Sequence, residues 1–72
     1  MIVKTNSGST YFFEVKNGSL RFSKGLTEGI VTSIKGLEIG SSMEIIYHEV
    51  GLYGGVEKSL SIIRTTEIIS IT

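Results

Sequence analysis

The dipeptide Asn17-Gly18 lies between two runs in which apolar and polar residues alternate, and it constrains this chain more than any other feature. A two-residue type I′ turn needs positive φ at both central positions, and asparagine followed by glycine meets that need at low steric cost. Ahead of the turn, residues 10–16 put Tyr11, Phe13 and Val15 on one face and Phe12 and Glu14 on the other. Behind it, residues 19–24 send Leu20 and Phe22 inward and Arg21 and Ser23 outward. A period of two is the signature of a strand, so the segment is predicted to be a β-hairpin.

The rest of the chain reads in the same units. A strand over Ile2–Asn6 ends in the turn formers Asn6-Ser7-Gly8-Ser9, and Lys24–Gly29 reads as a loop. Strands follow over Ile30–Lys35 and Met43–Glu49, joined by a connection, Gly36–Ser42, whose Leu37 and Ile39 are expected to tuck under the sheet. Val50–Gly55 is a glycine-rich hairpin tip, Val56–Ile63 a further strand, Arg64-Thr65-Thr66 a tight corner, and Glu67–Ile71 the segment that closes the sheet. No window keeps helical periodicity, and the chain has no Ala but 23 residues of Ile, Val and Thr. Such side chains suit pleated, half-buried surfaces. The expectation is an all-β domain spanning residues 1–72, a small antiparallel barrel or rolled sheet of five to six strands, SH3-like or Sm-like.

A core built from 72 residues usually needs a staple: disulfides, a metal or oligomerisation. There is no Cys, and His48 is the only His, which leaves oligomerisation. Four adjacent apolar pairs point the same way: Phe12-Phe13, Ile45-Ile46, Ile62-Ile63 and Ile68-Ile69. Neighbours on a strand face opposite sides, so each pair puts a large hydrophobe on both faces of the sheet, although a barrel has one interior. A homo-oligomer is expected, with Phe12, Ile46, Ile63 and Ile68 at the interface.

Seven Lys and Arg balance seven Glu, giving zero formal net charge, where a phosphate-contacting nucleic-acid binder would carry a basic excess. No run of eighteen apolar residues and no charged start followed by an apolar stretch is present, so a cytoplasmic protein without membrane partners is expected. Catalysis finds little support: His48 has no Asp to orient it, and the Glu residues are scattered. Gly51–Gly55 is glycine-rich but no helix follows to meet an anion, so Tyr53 is expected at a hairpin tip, or stacking on a ligand ring from a mobile lid. Arg21 and Arg64 are the only arginines, and Arg64-Thr65-Thr66 joins a guanidinium to two hydroxyls, a set that suits an anion. No cofactor or metal is implied.

Several of these segments resemble small all-β proteins encoded by bacteriophages. The likeness rests on Thr5-Asn6-Ser7-Gly8-Ser9-Thr10-Tyr11, on Leu20-Arg21-Phe22-Ser23, on Leu37-Glu38-Ile39-Gly40 with Met43-Glu44-Ile45-Ile46, and on Arg64-Thr65-Thr66-Glu67-Ile68-Ile69-Ser70-Ile71. These match a T-x-S-G-S-x-Y start, a central E-x-G-x-x-L/M-x-I and a terminal R-T-[ST]-x-[VI]-x-x-I. The chain departs in carrying Glu67 where such proteins often have Pro, and in a shorter loop after the third strand. Compact phage proteins of this kind are similar to counter-defence factors that oligomerise and sequester cyclic nucleotide immune signals. The resemblance therefore implies a phage-encoded protein in the host-cell cytoplasm. The expected function is a non-enzymatic homo-oligomer holding a small anionic, nucleotide-type ligand through Arg21, Tyr53, Arg64, Thr65 and Thr66. The alternative is an SH3- or Sm-like module that binds a host protein or nucleic acid through Tyr11, Phe12, Phe13 and Tyr47; a minor virion component is a third class.

Overall fold

A computed structural model describes residues 1–51 and 53–72. They form six strands: β1 (Ile2–Thr5), β2 (Thr10–Lys16), β3 (Ser19–Lys24), β4 (Thr27–Lys35), β5 (Ser42–Glu49) and β6 (Ser61–Ile71). Each strand pairs antiparallel with the next, and β6 pairs back onto β1, so the sheet closes into a barrel. None of the described residues forms a helix, and no helix is long and apolar enough to cross a membrane.

The expected hairpin is present. Lys16 pairs with Ser19 across the turn, with Asn17 at φ 52° and Gly18 at φ 78°. The segment from Lys24 to Gly29, expected as a loop, is a second tight hairpin instead. Lys24 pairs with Thr27, Gly25 takes φ 57°, and Leu26 stands fully in solvent. Glycine at the first central position supplies the positive φ that a type II′ turn needs, so β4 starts three residues before the expected Ile30.

The last part of the chain also differs from the expected layout. Arg64-Thr65-Thr66 is not a corner but the middle of one eleven-residue strand, β6. That strand begins at Ser61 rather than Val56, which makes only an isolated bridge to Val50. Its first part pairs with β5 and its last four residues with β1. Register shifts fall between Ser42 and Glu44 on β5 and between Lys4 and Thr5 on β1, so bulges bend the sheet to closure.

Val3, Tyr11, Phe13, Phe22, Met43, Ile45, Tyr47 and Ile68 fill the interior, with Leu37 packed against them as expected. Ile39 does not tuck under the sheet and is 66 % exposed. Phe22 meets Tyr47 edge-on, with ring centroids 4.7 Å apart, and lies 6.3 Å from Phe13. Gly29 makes room for that stack. A Cβ there would sit 2.5 Å from Tyr47 Cδ2 and 2.7 Å from Phe22 Cε1.

Each doubled hydrophobe splits across the barrel wall, but not as the interface expectation had it. Ile68 is buried, and Ile63 packs against the core. Their outward neighbours are Ile62 and Ile69, each about half exposed. Phe12 does face outward, as does Ile46, which lies beside Ile62 across β5 and β6.

Candidate ligand groove on the outer face of the first four strands

The register that builds the hairpin also builds a site outside the barrel. Ile2 pairs with Phe12, Phe12 with Ser23, and Ser23 with Glu28, so one outward row crosses four strands. The next outward pair along the hairpin is Glu14 with Arg21. Between these rows lies a groove of about 480 Å³, a size that suits a small-molecule site. Met1 and Ile2 form one wall, Phe12 offers a half-exposed ring, and Glu14, Arg21 and Glu28 bring the charge.

Arg21 is the unusual member. Its side chain is only 24 % exposed, and its Nη1 lies 3.8 Å from Glu28 Oε1, a loose ion pair. Its Nε is buried and meets no acceptor. A buried N–H donor without a partner costs about 1–3 kcal/mol, and buried polar groups are paired in the great majority of proteins. Two carboxylates, one guanidinium and the Met1 α-ammonium, which donates to the Phe13 carbonyl at 2.9 Å, line the groove, so acceptors and donors both face the space.

The other expected ligand residues lie elsewhere. Arg64 is on β6, three strands from Arg21 in either direction round the barrel, and so on the opposite side. Its Nε donates to Glu44 Oε2 at 3.0 Å. Tyr53 projects fully exposed from the segment joining β5 to β6. Thr65 Oγ1 accepts the Met43 N–H at 3.0 Å, where the register shift leaves that group without a ladder partner, and donates to the Thr66 carbonyl at 2.7 Å. Thr66 Oγ1 accepts from Ser7 N at 3.1 Å. Of the five, only Arg21 lines the groove.

The motif segments at the two ends of the chain do meet. Besides the Ser7–Thr66 bond, Asn6 N donates to the Glu67 carbonyl at 2.8 Å, and the buried Thr5 hydroxyl lies 3.2 Å from Ser7 Oγ. These hydroxyls satisfy one another and backbone groups, so this contact fastens β1 to β6 rather than presenting empty valences. His48 has its Nδ1 3.1 Å from the Ser59 carbonyl and pairs across β4 with Ile30. Among the described residues no three His, Cys, Asp or Glu side chains gather to hold a metal.

Reading residues singly missed Phe12, Glu14 and Glu28 as companions of Arg21. The signal was in the hairpin: alternation about Asn17-Gly18 already sets Phe12, Glu14, Arg21 and Ser23 on one outward face. No protein-family model matches this chain, and no curated protein or solved structure gives a significant match to it.

Proposed function

We propose that this chain is a non-enzymatic binding protein that holds a small, nucleotide-type ligand in the groove of β1 to β4. The observation that carries the reading is the buried Arg21 Nε with no acceptor, beside the half-exposed ring of Phe12. A planar base would stack on Phe12, a sequence-tolerant interaction of about 1–3 kcal/mol, and present an acceptor to Arg21. Glu14 and Glu28 would take hydrogen bonds from the amino or ring N–H groups of the same ligand. The two carboxylates balance the guanidinium and the Met1 ammonium, so the groove offers no net positive charge to a bare polyphosphate, and the phosphates of such a ligand would point towards solvent. Holding a messenger without converting it lowers its free concentration, and that would serve a phage as counter-defence.

Calorimetry against mononucleotides, cyclic di- and trinucleotides and ADP-ribose derivatives tests this. At least one should bind the wild type, lose most of its affinity to Arg21→Met, and bind about tenfold or more weakly to Phe12→Ala. No binding across the panel, or undiminished binding by Arg21→Met, would overturn it.

A further inference from the structure

The outer face of β5 and β6, opposite the groove, carries a pattern that complements itself. Ile46 lies directly across from Ile62, and Glu44 directly across from Arg64, to which it is paired at 3.0 Å. A two-fold axis running between these strands and parallel to them would exchange the two sides of the face. It would set Ile46 of one copy against Ile62 of the other, and Glu44 against Arg64, in both directions at once. That is the condition for an isologous interface. We infer that the chain forms a two-fold dimer through this face.

The area of the barrel allows a second copy. The accessible surface is 4746 Å², close to the roughly 4,400 Å² expected of a monomer of this mass. A standard interface takes about 800 Å² from each partner, which is about a sixth of the surface and within reach of one barrel face. Ile62 is 52 % exposed, and Ile46 beside it is partly so; both would leave water in the dimer. The groove around Arg21 lies on the other side and stays open, so dimerisation and ligand binding can fail separately.

Analytical ultracentrifugation from low to high micromolar concentration is the test. The wild type is expected to sediment as a dimer at the upper end. Ile62→Lys should be monomeric there while keeping the wild-type far-ultraviolet dichroism. Arg64→Glu, which sets like charges across the axis, should raise the dimer dissociation constant about tenfold or more. The double swap Glu44→Arg with Arg64→Glu, made in a Lys35→Glu background because Lys35 lies directly across β4 from position 44, should restore it to within about threefold of the wild type. A wild type that stays monomeric at high micromolar concentration overturns the dimer and leaves the face to a different protein. A dimer that survives Ile62→Lys, or a double swap that restores nothing, overturns this interface.

Discussion

Two residues show how much one side-chain decision matters in a barrel this narrow. Gly29 has an ordinary φ, so its small size is needed purely for space: the rings of Phe22 and Tyr47 occupy the volume a methyl would take. Gly29→Ala should therefore destabilise by about 1–3 kcal/mol, as overpacked cores do. That corresponds to a loss of roughly 4–8 °C in melting temperature per kcal/mol for a domain of this size. A melting temperature unchanged within a degree would show that the rings can move aside. Arg21 behaves the other way. Its buried Nε is unpaired and its ion pair with Glu28 is long, so the folded state gains little from the charge. Arg21→Met keeps the apolar stem and removes the orphan donor. It should leave the ligand-free protein as stable as the wild type or more so, by up to about 1 kcal/mol, while removing binding. Chemical denaturation of the two proteins side by side reads this, and a loss above 1 kcal/mol would assign Arg21 a structural role.

At the scale of elements, turns and bulges set the shape. Gly18 sits at φ 78° with nothing near its Cβ position, so Gly18→Val would be strained by conformation alone. A cost of about 1–2 kcal/mol is expected, since that is what the left-handed region costs a non-glycine residue. Thr66→Val removes the hydroxyl that takes up Ser7 N, and Thr65→Val the one that takes up Met43 N. The second should cost more, about 1–3 kcal/mol against a few tenths, because the Met43 site is partly buried and the Ser7 site is exposed. Amide exchange at Met43 and Ser7 should rise in the respective variants. These elements also show what was legible beforehand. Asn17-Gly18 announced its hairpin because the turn chemistry and the flanking alternation agree. Gly25-Leu26 did not, because Leu at the second position is no turn former and the polar residues beside it resemble a loop. Arg64-Thr65-Thr66 looked like a corner by polarity, but a closing strand alternates faces and puts polar residues outside as a matter of course. Ile63 and Ile68 were assigned to the wrong face because only the register, shifted by bulges, says which member of an apolar pair looks inward.

For the whole molecule, closure of the sheet decides where function can lie. With β1 bonded to β6 and the interior filled by side chains, the two candidate surfaces lie on the outer wall. The wall carries two features on opposite sides, a groove over β1 to β4 and an apolar, charge-paired face on β5 and β6. The groove was half legible: Arg21 and Phe12 were visible as outward residues, but the burial of Nε depends on how the neighbouring strands pack around the hairpin. If copies pair through the second face, the melting temperature should rise with protein concentration, and it should do so in Arg21→Met as well. The most direct test of the groove is the ¹⁵N resonance of the Arg21 side chain, followed while the best ligand of the nucleotide panel is added. The Nε–H signal of Arg21 should shift strongly and exchange more slowly with water as it gains an acceptor, with Phe12, Glu14 and Glu28 the most perturbed neighbours. A ligand that binds but leaves that signal in place, moving Arg64, Thr65 and Thr66 instead, would contradict the assignment.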